Sequence, residues 1–290
     1  MLYALVAGVL FGLYFSLIGL GLNLTFGVLR MVNLAHGDFL MIGGFAAVVG
    51  FSALHLHPLV SMIVVALLIF VVGLGLYYVL IPRIAATRDP EMISLVLFFG
   101  LSQAIEALAV IVFGNNERSI YQSVFGTKPV AVLGVSFPAV WVVSALVSLL
   151  ALLGVYLYLY RTRLGYATRA VIASRDESLV SGINVHRVSS IAFAIGLGLA
   201  AVAGALSPFM LGGVTPDMGV DITVTAFAVI VLGSLGNPIG TVAGGLIYGI
   251  ALMLMQTYLS SWSNILPYLL LLAVLLLKPS GLFGREVRNA

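Results

Sequence analysis

The sequence predicts an all-α bundle of membrane-spanning helices, a single transmembrane domain over residues 1–290 with some helices broken by glycine and proline. Three observations lead there. Of the 290 residues, 62% are hydrophobic and 8% charged, with a mean hydropathy of +1.20, whereas soluble domains carry about 25% charged and about 45–50% apolar residues. A water-soluble fold has no interior for so much apolar surface, so the solvent is lipid. The apolar residues also come in continuous runs of about the 20 residues that a spanning helix needs, which excludes the alternating strands of a membrane β-barrel. Finally, the few basic residues are segregated into alternate connections between those runs.

Taken in order, the runs place spans near 3–27, 37–54, 59–81, 92–113, 137–160, 188–210, 222–236, 239–258 and 264–278. The count is about 8–9, because the first run is long enough to tilt or kink. That run is uncharged from Leu2 to Leu29. It lacks a basic leader and far exceeds the apolar core of about 7–15 residues in a secretory signal, so it reads as a span. The seventh run is short and ends in "GSLGNPIG", residues 233 to 240, which marks a broken or half-length helix. Gly8, Gly12 and Ser16 recur every four residues, as do Gly196, Ala200 and Gly204, and Gly245 with Gly249. Such stripes let helix backbones approach closely where burial from water no longer drives packing.

If each run crosses once, the connections 28–36, 82–91 and 161–187 and the tail from 278 share one side. They hold all 13 basic residues except Arg118 and Lys128: Arg30, Arg83, Arg88, Arg161, Arg163, Arg169, Arg175, Arg187, Lys278, Arg285 and Arg288. The positive-inside rule then puts the C-terminus in the cytoplasm and the N-terminus outside. The pI of about 9.2 thus reports topology and gives no sign of nucleic-acid binding.

Two polar groups lie inside this apolar frame. The stretch "NLAHGDF" gathers Asn33, His36, Gly37 and Asp38 between the first two spans. One reading is capping, with Asn33 or Asp38 accepting backbone N–H groups and Gly37 allowing the turn. The other is a break at membrane depth, where irregular backbone survives only against protein or a wet path. In the fourth span Ser102, Gln103 and Glu106 share one helical face. A carboxylate there faces a bundle interior, a subunit interface or water. Asn33, His36, Asp38, Gln103 and Glu106 are therefore the candidate lining of a translocation path.

The longest polar stretch is "YRTRLGYATRAVIASRDESLVSGINVHRV", residues 160 to 188. Ala170, Val171, Ala173, Leu179 and Val180 can form the apolar stripe of a short helix, with Arg169, Arg175, Asp176 and Glu177 outside it. Gly182 is the expected left-handed residue that closes it. Such a helix serves either as a surface at the lipid headgroups or as a projection that docks into a soluble partner.

Several chemistries lack their residues. No G-x-x-x-x-G-K-[ST] loop occurs, and the only lysines are Lys128 and Lys278, so the chain has no phosphate-cradling loop of its own. Cysteine is absent, and His36, His55, His57 and His186 have no zinc-binding spacing. No G-x-S-x-G nucleophile motif is present. The chain reads as no enzyme, with no bound metal or cofactor.

Four ordered stretches carry a family resemblance: "GLNLTFGVLRMVNLAHGDFLMIGGF", "GYATRAVIASRDESLVSGINVHRVSSIAFAIGLGLAAVAGAL", "AFAVIVLGSLGNPIGTVAGGLIYGI" and "KPSGLFG". Together they resemble the permease subunits of ATP-binding-cassette importers for branched-chain amino acids, the LivH type, over almost the whole chain. The resemblance implies a type II-like importer architecture, with the 161–187 segment coupling to an ATPase through Arg169, Arg175, Asp176, Glu177 and Gly182. The Asp176–Gly182 spacing is similar to the EAA-type motif, with Ser178 where alanine is usual and no I-x-L-P following. It also implies a second permease subunit, homologous or identical, two ATPase subunits that hold ATP and Mg, and an external substrate-binding protein. The expected location is a bacterial cytoplasmic membrane. Relatives that import urea or short amides, and an ion-coupled secondary transporter using Glu106 and Asp38, are the alternative functions.

Overall fold

The computed structural model describes residues 1–120, 122–126 and 128–284; Arg285 and Arg288 of the basic tail lie outside the described residues. Eleven helices are described: α1 (Leu2–Leu29), α2 (His36–Ser52), α3 (Pro58–Ala85), α4 (Pro90–Phe113), α5 (Ala139–Arg161), α6 (Arg163–Ala173), α7 (Arg175–Val180), α8 (Val185–Met210), α9 (Met218–Gly233), α10 (Pro238–Tyr258) and α11 (Leu266–Leu277). Counting the 3-10 turn that leads into α11, seven segments are long and apolar enough to cross a membrane; α2 and α9 are shorter, with 17 and 16 residues.

Most boundaries fall within a few residues of expectation, and the differences have local causes. α3 runs through Pro82 to Ala85, where a span ending at 81 was expected. Proline lacks the N–H of one ladder bond, but this one sits in the last turns, and Arg83 donates to the carbonyl of Val79 one turn back. α4 starts at a paired signal: the Asp89 carboxylate accepts the N–H of Met92 at 3.1 Å and Pro90 takes the first turn. α9 begins at Met218 rather than 222, so Asp221 lies in its first turn and not in the preceding connection. Between α4 and α5 the chain forms an unpredicted hairpin, β1 (Val130–Val132) against β2 (Val135–Phe137). Its two turn residues, Leu133 and Gly134, both have positive φ, as a tight two-residue hairpin requires.

α1 and α8 are the two most enclosed long helices, apolar on every side and packed all round. α10 and α5 lie on α1, while α2 and α3 lie on α8, and α9 joins α2, α10 and α11. The three small-residue stripes are the contact lines. A Cβ on Gly8 would stand 2.6 Å from the Cα of Ile250, and one on Gly12 would stand 2.8 Å from the Cα of Leu246. Ser16 joins the same seam, donating to the carbonyl of Val242 at 2.9 Å. The third stripe serves α8 twice: Gly196 abuts the carbonyl of Gly21 on α1, and Gly204 abuts Leu40 on α2. α3, α4, α5 and α11 turn most of their apolar residues outward, as helices facing lipid or another subunit do.

One buried amide ties the α9–α10 break to this core. Asn23 of α1 accepts the N–H of Gly236 at 2.6 Å and donates to the Asn237 carbonyl at 3.0 Å, with the hydroxyl of Thr241 also in contact. Asn237 in turn caps α10, accepting the N–H of Gly240 at 3.1 Å. Asn23→Leu would strand these groups, and each buried donor or acceptor left unpaired costs about 1–3 kcal/mol. The expected result is a clear fall in the melting temperature of the detergent-purified protein. An unchanged melting temperature would show that the break holds without Asn23.

Candidate functional site

The polar cluster between α1 and α2 lies deep in the bundle. Arg30 closes α1 in the left-handed conformation (φ 52°), its N–H bonded to the carbonyl of Phe26 at 2.7 Å. The chain then turns back along the helix it has just left. His36, the first residue of α2, places its Nε2 3.3 Å from the carbonyl of Ile18. Ile18 lies about 16 Å before Leu29 at about 1.5 Å per residue. A Cβ on Gly21 would likewise stand 3.1 Å from the His36 ring. α2 therefore begins near the midpoint of α1, and the irregular backbone of residues 30–35 runs from the exposed Arg30 to the buried Asn33 and Ala35. The irregular segment is thus set back from the end of α1 rather than forming a turn beyond it.

The capping reading holds for Asn33 alone, whose Oδ1 accepts the N–H of Ala35 at 3.1 Å. Asp38 caps nothing. Ala35 occupies the cap position of α2, and neither oxygen of the fully buried Asp38 carboxylate has a hydrogen-bond partner among the described residues. The backbone of the break is held instead from α9. Thr223 accepts the N–H of Gly37 at 2.9 Å, and its hydroxyl lies 2.9 Å from the carbonyl of Gly219 and 3.2 Å from that of Leu34. Gly37 and Gly219 let the two helices meet. A Cβ on Gly37 would fall onto the carbonyl of Gly219, and one on Gly219 would stand 2.8 Å from the Cγ of Asp38.

Across the α2–α4 contact, the Ser102 hydroxyl is the side-chain donor nearest in effect to the Asp38 carboxylate, although not at hydrogen-bond geometry, and Glu106 acts on it as a like charge. The expected face of α4 divides: Ser102 is buried, Glu106 is half-buried, and Gln103 donates to Glu106 Oε2 at 3.4 Å from an exposed position. Asp38, Ser102 and Glu106 come together. His36 points elsewhere, into the α1–α8 contact, because side chains two apart on a helix diverge.

Two clefts flank this knot. One, of about 290 Å³, opens beside the start of α9 and is lined by Glu117, Thr215, Asp217, Met218, Asp221 and Ile222. The other, of about 530 Å³, opens at the α6–α7 end, between Arg30, Val32, Glu91, Leu95, Ile172 and Gly236.

At that same end the 161–187 segment folds as two helices, α6 and α7, where one short helix was expected. Thr162 and Ser174 cap them, accepting the N–H groups of Gly165 at 2.9 Å and Glu177 at 3.4 Å. Gly182 is left-handed as expected (φ 76°) and closes α7 with its N–H to Leu179 O at 3.0 Å and that of Ile183 to Ser178 O at 3.0 Å. The expected stripe divides: Val171 is buried, but Leu179 and Val180 are 53% and 90% exposed. A second break, at Ser174, swings these two away from the bundle. Asp176 and Glu177 are exposed beside them, and Arg175 is half-exposed.

Arg169 departs from its expected place on the outward surface. It turns back onto its own chain, with Nε donating to Leu159 O at 3.1 Å and the guanidinium over the rings of Tyr160 and Tyr166, at 4.3 and 5.1 Å. The faces of Tyr160 at the end of α5 and Tyr166 in α6 attract the cation through their ring quadrupoles. Tyr158 and Thr168 bond hydroxyl to hydroxyl at 2.8 Å across the same α5–α6 contact. α6 is thereby fixed to α5, and its Ile172 reaches Gly27 at the end of α1 and Gly236 at the α9–α10 break.

Sequence reasoning missed Asn23, Thr223, Gly219 and the carboxylate-lined cleft. Asn23 carried a usable signal, a lone amide within an uncharged apolar run. Thr223 and Gly219 carried none, since they matter only because α2 and α9 meet.

The family model described as "Branched-chain amino acid transport system / permease component" matches residues 4–275 of this chain. The chain is 30% identical to the high-affinity branched-chain amino acid transport system permease protein LivH of Escherichia coli (strain K12), over 96% of this chain and 94% of that one. It is 28% identical to the corresponding permease protein BraD of Pseudomonas aeruginosa, over 98% and 96%. To the probable branched-chain amino acid transport permease protein LivH of Methanocaldococcus jannaschii the identity is 30%, over 92% and 88%. No solved structure matches.

Proposed function

This chain belongs to the family of permease components of branched-chain amino acid transport systems, and on that premise we propose that it is the membrane-spanning subunit of an ATP-binding-cassette importer for leucine, isoleucine, valine or a related amino acid. The observation that carries the reading is similarity along nearly the full length of relatives named for that transport. The helix pair α6–α7 supports it. Its exposed Leu179 and Val180, flanked by Arg175, Asp176 and Glu177, form an apolar knob with a charged border, a surface suited to docking in a soluble partner. In this reading α6–α7 lies in the cytoplasm and receives the motion of two ATPase subunits, which bind ATP and Mg. A second permease subunit completes the membrane part, and an external binding protein delivers substrate. The cytoplasmic membrane of a bacterium, with the C-terminus inside, fits the basic connections.

The expectation follows that this chain, purified alone into proteoliposomes, neither hydrolyses ATP nor accumulates leucine. Adding the companion permease, the ATPases and the binding protein should give ATP-dependent uptake. Robust uptake by the chain without an ATPase, driven by a proton or sodium gradient, would overturn the importer reading.

A further inference from the structure

We propose that Asp38 of α2, with Ser102 and Glu106 of α4, is the transit site for the ammonium group of the imported amino acid. The inference rests on the importer reading given above. Asp38 is fully buried, and both its oxygens lack a hydrogen-bond partner among the described residues. A second carboxylate, Glu106 on the neighbouring α4, acts on it as a like charge, and no lysine or arginine of the described residues pairs with either. A buried carboxylate is costly unless it is neutralised or paired, and two side by side raise that cost. An alkylammonium answers this arrangement, because it has three donors and no acceptor. The two unpaired Asp38 oxygens are the acceptors it would meet, with the Ser102 hydroxyl and Glu106 on the neighbouring helix.

The position of the site agrees with transit. It adjoins the irregular break, near the midpoint of α1. Asp38 packs on Gly219, in the first turn of α9, and that turn lines the cleft holding Glu117, Asp217 and Asp221. Glu117, Asp217 and Asp221 line that cleft, with the guanidinium of adjacent Arg118 turned onto Phe113, so its lining draws cationic groups inward, while Met218 and Ile222 offer apolar surface to an aliphatic side chain. On the other side α4 continues from Ser102 to Leu95 and Glu91, which line the second cleft. Glu91 there lies eleven residues from Ser102, about 16 Å along the helix, and shares the opening with Arg30.

The test uses the complete complex in proteoliposomes. Asp38→Asn should lower maximal leucine uptake about tenfold with half-saturation nearly unchanged, because the binding protein sets capture and the permease sets passage. Asp38→Glu should retain more uptake than Asp38→Asn. The chain contains no cysteine, so Ser102→Cys places one thiol beside the carboxylates. During ATP turnover a cationic methanethiosulfonate should label this chain about tenfold faster than an anionic one of similar size, and leucine should slow it. Should Asp38→Asn fail to accumulate, Glu106→Gln must lower maximal uptake in the same way. Full uptake by Asp38→Asn, or labelling that is absent, charge-blind or indifferent to leucine, would overturn the site. A parent complex that takes up no amino acid with ATP overturns the importer reading itself, and the transit role of Asp38 falls with it.

Discussion

Gly249→Leu is expected to abolish accumulation of the folded protein in the membrane. The place of its Cβ is taken by the backbone of Gly12, with the carbonyl of Gly8 2.6 Å away. A core that must accept extra methylenes loses about 1–3 kcal/mol when side chains can shift. Here the obstacle is main chain, so α1 and α10 have to separate. Lipid fills such a gap as readily as another helix does, and no burial from water draws the pair back. The consequence reaches beyond one seam, because α1 is also the wall against which α8, α5 and the α2 break pack. Gly75→Leu supplies the control. Gly75 lies on the exposed side of α3 with nothing within 4 Å of its Cβ, so it should accumulate normally. The measurement is the yield of monodisperse protein from membranes for both variants. Normal yield of Gly249→Leu would mean that the α1–α10 contact is not what holds the bundle.

The small-residue stripes that make this seam were legible in the sequence, as were the spans, because both follow from periodicity and from what lipid excludes. Pairing was not. Gly8, Gly12 and Ser16 announce that α1 touches something closely, but nothing in their spacing says that the other surface carries Gly245 and Gly249. The polar break shows the same limit. "NLAHGDF" displayed a turn and three polar side chains, and local chemistry alone favoured capping. Its depth depends on residues 30–35 folding back to Ile18, a tertiary fact. Glu106 was visible as an anomaly in the fourth span, and its neighbour Asp38 as one beside the second. Only the crossing of α2 and α4 makes them a pair. Arg169 failed for an opposite reason. An amphipathic projection takes every charge off the apolar stripe to be solvated, whereas Tyr160 and Tyr166 offer this one a better place.

The structure also gives α6–α7 a mechanical connection that sequence could not. Ile172 of α6 touches Gly27 and Gly236 and lines the larger cleft together with Arg30 and Val32. A displacement of α6 therefore bears on the end of α1, on the α9–α10 break and on the first residues of the irregular segment. Arg169 and the Tyr158–Thr168 bond make α5 move with α6. In the proposed importer, force from an ATPase at Leu179 and Val180 would reach the cleft through this set of contacts.

Gly182→Val should break that transmission while leaving the bundle intact. Gly182 holds φ at 76° and has nothing within 4 Å of its Cβ position, so the substitution meets no steric wall and acts through the backbone alone. A side chain in the left-handed region costs about 1–2 kcal/mol, and a β-branched one is the worst case. The strain is relieved where resistance is least. α8 is anchored by one of the most enclosed surfaces in the molecule, whereas α7 has six residues with mostly exposed side chains. The closing bonds from Gly182 and Ile183 therefore give way, and α7 changes its angle, carrying Leu179 and Val180 off their docking position. The expected result is parental membrane yield with lost ATPase co-purification, or with hydrolysis no longer stimulated by substrate. Gly182→Asn should remain close to the parent, since asparagine tolerates this conformation. Single neutralisation of Arg175, Asp176 or Glu177 should do less, because an exposed charge contributes about 0–1 kcal/mol. The three readings belong in one preparation: yield, ATPase retention and substrate-stimulated hydrolysis. Parental coupling in Gly182→Val would mean that the orientation of α7 does not matter to the ATPase, and α6–α7 would then be a headgroup-level surface.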